Sequence, residues 1–314
     1  MEVALSSWVE VLSRRVGSVL ASVPGQTQEL VGDSLPYEGP DVLPPHWLLL
    51  PGWLDRAWAA EGRPALPDGE LTDLLWGQYA LFLQIRIQDD LLDRERTDLR
   101  LLFVADRFLL ESLESFQGFP ALDGQFWAFY RRCLRETVDG ILEVRRLESV
   151  PGEFTVERLD LHARVSAIFK VGAAAVCRLH ARDGEMPWLS DFMDRLAVFG
   201  QICDDLEDLA EDLEVGRFTW VANVLLGGRV GDPSEPEEWA GRLRDGFMRP
   251  EWGEPVLSEL RRLARLTAEG VPDLAPPAVH DLVRELRNRP DALEQTMHEA
   301  RVRWVFGEAV QPAG

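Results

Sequence analysis

Residues 83–95 read LQIRIQDDLLDRE. The leucines and isoleucines call for a packed helix, yet Asp89, Asp90 and Asp93 stand within five positions of one another. At 3.6 residues per turn Asp89 and Asp93 share a face, with Asp90 beside them. Like charges at that spacing repel. Burying a carboxylate without a partner costs free energy and raises its pKa. A divalent cation removes the conflict. Magnesium prefers oxygen ligands, takes one or two carboxylates, and completes its octahedron with water and substrate phosphate.

The stretch has a companion. Residues 199–220 read FGQICDDLEDLAEDLEVGRFTW, with Asp204, Asp205 and Asp208 in the same Asp-Asp-x-x-Asp spacing and Asp212 beyond. On one unbroken helix Asp204, Asp208 and Asp212 fall on a single face. Both copies follow apolar helix and a glutamine, Gln88 and Gln201. Two such helices facing each other across a bundle would cage several ions, and bundle interiors are where such sites are built. In a chain with 54 acidic residues, a single copy is equally what a solvated helix face looks like. It is the duplication that favours metal.

Outward from these two stretches, the helical period persists. It predicts helices near 2–22, 70–94, 98–117, 123–148, 155–183, 189–214, 217–227, 236–248, 254–269, 277–288 and 290–308. Gly118-Phe119-Pro120, Pro151-Gly152, Gly231-Asp232-Pro233 and Pro276-Pro277 punctuate them. No stretch alternates as a strand, so the fold class is all-α. Residues 24–68, rich in proline and tryptophan, read as an irregular or short-helical segment packed on the bundle. No composition shift divides the rest, which predicts one domain over 1–314.

The totals bound the function. The net charge of −21 excludes a general phosphate-backbone binder, so no nucleic-acid partner is expected. No apolar run reaches the roughly 18–20 residues of a membrane span. The opening MEVALSSWVEVLSRRVGSVL reads as an amphipathic helix without a basic and apolar leader. Cys133, Cys177 and Cys203 are scattered and odd in number, which fits reduced thiols and a cytoplasmic protein.

The paired motifs resemble those of the class I isoprenoid synthases, the superfamily of trans-prenyltransferases and terpene synthases. The resemblance spans roughly residues 70–230. It implies a helical bundle with a central active-site cavity. It also implies two aspartate-rich helices holding three Mg2+ ions, which grip the diphosphate of an allylic prenyl substrate. Gln201, Asp204, Asp205 and Asp208 match the prenyltransferases' Phe-Gln-x-x-Asp-Asp-x-x-Asp, with Gly200 in place of phenylalanine. Gly216-Arg217 stands where the family often has Gly-Lys. The metal ligands so implied are Asp89, Asp90, Asp93, Asp204, Asp208 and Asp212, with Asp205 in the catalytic set. Homodimers are common in the superfamily, and nothing else in the sequence bears on that expectation.

The basic residues are 32 arginines and a single lysine, Lys170, within HARVSAIFKVGAAAV. It lies 34 positions before Asp204, where prenyltransferases place a lysine that contacts the diphosphate. A chain that otherwise uses only arginine keeps lysine's compact ammonium for a reason, or else carries one surviving lysine whose head snorkels to the surface. Arg86, Arg164, Gln201 and Arg217 are further candidates for the diphosphate. Arg164, two turns before Lys170, faces a similar way on a continuous helix. Each arginine is also an ordinary ion-pair candidate.

What is missing bears on the reaction. Chain-elongating prenyltransferases carry a Gly-Gly-Lys-x-x-Arg-Pro-like segment near the N-terminus and an Arg-Arg pair after the first motif, for isopentenyl diphosphate. Neither is here: Asp98 and Leu99 occupy the pair, with Arg94, Arg96 and Arg100 scattered around them. Terpene synthases need only one diphosphate. Asp204, Asp208 and Asp212 copy the spacing of their second motif, and Arg303-Trp304 stands in for their C-terminal Arg-Tyr. The leading expectation is Mg2+-dependent ionisation of a prenyl diphosphate by a terpene synthase or cyclase-like enzyme. Phe82, Ile85, Phe169 and Trp220 would wall the hydrocarbon and shelter its cation, although each also suits plain core packing. A prenyl diphosphate synthase, a non-catalytic prenyltransferase-like subunit and an acidic helical scaffold are the alternatives.

Overall fold

The helix that carries the first aspartate pair is buried almost all round. In the computed structural model it runs from Asp68 to Leu92, and its inward residues include Leu74, Leu75, Gln78, Leu81, Ile85 and Asp90. A helix apolar on every side must be a core element. The structure describes residues 2–23, 46–92, 97–227, 236–249 and 251–307. Thirteen α-helices occur among them and no strand. The described chain groups into two compact units. The first is Met1–Arg135 with Ala167–Leu189; the second is Glu136–Ser166 with Ser190–Gly314.

In the first unit, α1 (Glu2–Ala21), α2 (His46–Ala60), α4 (Leu101–Gln117) and α7 (Lys170–Leu179) lie against α3 (Asp68–Leu92). Trp8, Leu12, Val16 and Leu20 recur at four-residue spacing and give α1 a single buried stripe. The region expected to be irregular or short-helical contains α2, while residues 24–45 lie outside the described set. Pro51-Gly52 forms a notch inside this helix. A Cβ on Gly52 would come within 2.5 Å of the Trp8 ring, and the Pro51 ring faces Gly172. Burial of Leu48, Leu49, Leu50, Leu54 and Trp58 outweighs the local preference for a break. A buried pair, His180 Nε2 to Asp55 Oδ1 at 2.8 Å, pins α2 to the residue that ends α7.

The second unit holds the later part of α5 (Gly124–Glu148), α6 (Asp160–Val165), most of α8 (Met186–Glu207), α9 (Leu209–Glu214) and α10 (Trp220–Leu225). It also contains α11 (Pro236–Phe247), α12 (Glu254–Gly270) and α13 (Pro277–Gly307). Its core joins Val144, Leu147, Phe154, Ile202, Phe218, Trp220, Leu260 and Leu286, among others. Asn223 binds the backbone of Gly152, Phe154 and Phe218 and closes the turns around this core.

Three expected helix boundaries are corrected. The predicted helix 155–183 is broken into a 3₁₀ turn at Val156–Arg158, α6, a second 3₁₀ turn at Ala167–Phe169, and α7. The predicted helix 189–214 is interrupted at Asp208, whose φ and ψ are −95° and 7°. The predicted helices 277–288 and 290–308 are one helix running through Pro290. Val279, Leu282, Val283 and Leu286 are buried before the proline, and Leu293 packs on the core after it. That packing offsets the single hydrogen bond Pro290 removes.

Candidate functional site

In the first unit, α3 presents Asp89 half-buried and Asp90 buried. Asp90 Oδ1 lies 2.9 Å from Nε of Arg86, one turn upstream. Asp93 lies outside the described residues, as do Arg94 and Arg96. Arg100 is engaged with Asp98, Nε to Oδ1 at 2.9 Å.

Lys170 opens α7 and is buried. The bonds around it come from Gln78 of α3, which is wholly inaccessible. Gln78 Nε2 donates to the Ile168 carbonyl at 3.2 Å, and its Oε1 accepts from the Gly172 N–H at 2.6 Å. These satisfy backbone groups left over by the break at residues 166–169. Beside Lys170, the Phe169 ring lies 6.0 Å from that of Phe82, which stacks on Tyr79 at 6.1 Å. Ile85 is buried one turn along α3 from Phe82. Three of the four predicted hydrocarbon-wall residues therefore belong to this unit. The fourth, Trp220, is buried in the apolar core of the second unit.

The break corrects the reading of Arg164. It sits on α6, is exposed, and is separated from α7 by the non-helical Ser166, so the continuous helix that would align it with Lys170 does not exist.

The second motif ends α8 and continues into α9. Asp204 and Asp208 are exposed, whereas Asp205 and Asp212 are buried. The helix is interrupted at Asp208, yet the Asp208 N–H still bonds the Asp204 carbonyl at 2.8 Å and the Asp212 N–H that of Asp208 at 2.9 Å, so the three stay one turn apart while Asp212 alone of them is buried. Gln201, expected on the substrate, donates from Nε2 to Asp205 Oδ1 at 2.8 Å. The other oxygen, Asp205 Oδ2, is buried without a hydrogen bond. Arg217 Nη1 meets Asp212 Oδ1 at 3.1 Å. The Arg217 N–H also donates to the Asp212 carbonyl at 2.7 Å and that of Gly216 to Leu213. With Gly216 at φ 74°, this is a glycine-terminated helix end that holds Arg217 over its partner.

One residue of this neighbourhood was not singled out from sequence. Glu148 closes α5 as a buried carboxylate paired with Arg145 at 3.3 Å. Its carbonyl accepts the Phe218 N–H at 2.8 Å, which ties the end of α5 to the segment after α9. In LEVRRLE it reads as the charged end of a solvated helix. Its burial is a tertiary feature, seen together with the bond from Phe218.

The electrostatics follow. Burial drives the Asp205 carboxyl well above its usual range, against the lowering by Gln201 and with help from Glu148, Asp212 and Asp204. Burial also lifts Asp212 to about 6, opposed by Arg217. Asp204 is open on one side, but partial loss of solvent, then the charges of Glu207 and Asp208, raise it to about 6 as well. His162, buried against Phe154, is depressed to about 4 and stays neutral. Among the described residues, no three His, Cys, Asp or Glu side chains form a ready-made metal cage. A magnesium site needs none, because water and phosphate supply most of its ligands. The carboxylates already open to a cation are Asp204, Asp208 and, in part, Asp89, whereas Asp90 and Asp212 each face an arginine that a cation would have to displace.

No family model, curated protein or solved structure matches the chain. Among the described residues, no helix is long and apolar enough to cross a membrane. The three cysteines are buried and unpaired with one another.

Proposed function

We propose that this chain ionises an allylic prenyl diphosphate in the manner of a terpene synthase, within an isoprenoid-synthase-type bundle. The observation that carries the reading is a repeated arrangement. In each Asp-Asp pair the second carboxylate is buried against a side chain four residues upstream, and the first is more open. Asp89, Asp90 and Asp93, with Asp204, Asp208 and Asp212, are the proposed ligands of Mg2+. Bound there, the metal would supply positive charge to the departing diphosphate.

The chain's own residues do the rest. Lys170 and Arg217 bind diphosphate oxygens as the carbon–oxygen bond breaks, which is charge stabilisation of the leaving group. Arg86 and Gln201 orient Asp90 and Asp205 from one turn away. Phe82, Ile85 and Phe169 keep water from the cation, and their aromatic faces stabilise it. The sequence carries no Arg-Arg pair after the first motif for isopentenyl diphosphate, which favours a one-diphosphate reaction.

The test is incubation with geranyl, farnesyl or geranylgeranyl diphosphate and Mg2+, with and without isopentenyl diphosphate. Hydrocarbon or terpenol formed without the co-substrate is the expected result. A longer diphosphate formed only with it moves the assignment to a prenyl diphosphate synthase. Absence of product in every arm, with no thermal stabilisation by Mg2+ and pyrophosphate, overturns the proposal.

A further inference from the structure

The start of α7 lacks the local cap that a helix usually carries. The first N–H groups of a helix have no partner within it, and a Ser, Thr, Asp or Asn at the N-cap normally accepts one of them. Here the N-cap is Phe169, which makes no such bond. Its ring is used against Phe82 instead. The third N–H of α7, that of Gly172, donates to Gln78 Oε1. The same amide, through Nε2, donates to the carbonyl of Ile168. These bonds grip the backbone two residues before and two residues after Lys170.

The packing shows how closely this grip is fitted. A Cβ at Gly172 would come 2.9 Å from the Pro51 ring and 3.0 Å from Gln78 Oε1. Gly172 thus lets α7 approach α2 and α3 closely enough for the amide to reach. The helix that supplies Gln78 is the one that carries Asp89 and Asp90, about three turns further on.

The geometry points to Gln78 as a positioning residue: a remote cap that fixes Lys170, and with it the diphosphate-binding ammonium, in register with the first aspartate pair. The functional half of this inference rests on the diphosphate reading above; the structural half does not. Gln78 touches no reacting atom. It acts by holding the segment from which Lys170 projects.

Because Lys170 is the only lysine, feeding 15N-lysine labels one backbone amide in the full-length protein. Its cross-peak is followed in wild type, Gln78→Met, Gln78→Asn and Gln78→Glu, with and without Mg2+ and inorganic pyrophosphate. Gln78→Met removes both bonds. Gln78→Asn keeps an amide one methylene too short to span both groups, and serves if the methionine variant does not fold. Gln78→Glu, protonated when buried, both accepts and donates.

The expected result is a displaced or broadened Lys170 peak in the Met and Asn variants, with a helical circular dichroism spectrum unchanged. Their response to pyrophosphate needs roughly tenfold more ligand, the scale of one charge-assisted bond. Gln78→Glu recovers the wild-type peak and response. A folded Met or Asn variant that keeps both overturns the inference, and so does a displaced peak with unchanged pyrophosphate response. If the wild-type peak ignores Mg2+ and pyrophosphate, the diphosphate reading fails instead, and the cap stands or falls on the peak positions alone.

Discussion

The two aspartate motifs share spacing but differ in the partner they are given. Asp90 and Asp205 are each the second member of an Asp-Asp pair, each buried, each held from four residues upstream. In the first motif the partner is the guanidinium of Arg86. In the second it is the neutral amide of Gln201. An amide orients a carboxylate without neutralising it, so the second motif keeps an uncompensated preference for the protonated form. The backbone differs too: α3 runs unbroken through Asp89 and Asp90, while the second motif is interrupted at Asp208, and its last carboxylate, Asp212, is buried. Identical spacing therefore fixes which carboxylate is buried. The residue four before it decides how much charge remains for a cation to answer.

The largest effect should come from removing either pair. Asp89→Asn with Asp90→Asn, or Asp204→Asn with Asp205→Asn, is expected to lower turnover on the order of 10²–10³-fold, the scale of lost charge stabilisation in a transition state. Steady-state kinetics on prenyl diphosphate check this. A pair whose loss leaves turnover intact has no part in the site.

Next in size is pH. Asp204, Asp205 and Asp212 have folded pKa values above their unfolded ones. Their contribution to stability is fully present below about pH 4 and is lost as pH rises through the folded values. His162, held at about 4, works the other way, since only the unfolded chain takes up its proton as pH falls below about 6.5. Three carboxyls outweigh one histidine. The metal-free protein should be less stable at about pH 7.5 than at about pH 5.5, measured by urea unfolding in EDTA. Gln201→Arg gives the second motif the first motif's kind of partner and should flatten that slope. An unchanged slope would show that partner chemistry is not the cause.

Smaller still is the cost of Arg86→Gln, about 1–2 kcal/mol. This is discounted from the value for a fully buried pair because the Arg86 side chain is 41% exposed while Asp90 is 7% exposed. It should raise the sensitivity of the protein to urea, read as a lower unfolding midpoint. Gly216→Ala, which forces a Cβ onto a left-handed helix end, should cost about 1 kcal/mol. That effect should appear in the second unit only, by thermal unfolding.

Much of this was legible in the sequence. The helical period gave an all-α fold, and Asp-Asp-x-x-Asp twice over marked the two stretches with buried carboxylates. What was hidden was tertiary. Pro51-Gly52 carries the signal of a turn, and only Trp8 and Gly172 explain it as a notch. The break before Lys170 has no glycine or proline to announce it, since Gln78, some 90 residues away, provides its bonds. Glu148 is buried where its carbonyl meets the N–H of Phe218, 70 positions on. The interleaving of the two units, which trade residues 136–166 and 167–189, leaves no mark in composition.

The most direct measurement is calorimetric titration of the full-length protein with inorganic pyrophosphate in the presence and absence of Mg2+. The account predicts binding that requires Mg2+, strengthens as pH rises through 6, and disappears when either aspartate pair is replaced by asparagine. Metal-independent binding, or binding that survives loss of both pairs, would contradict it.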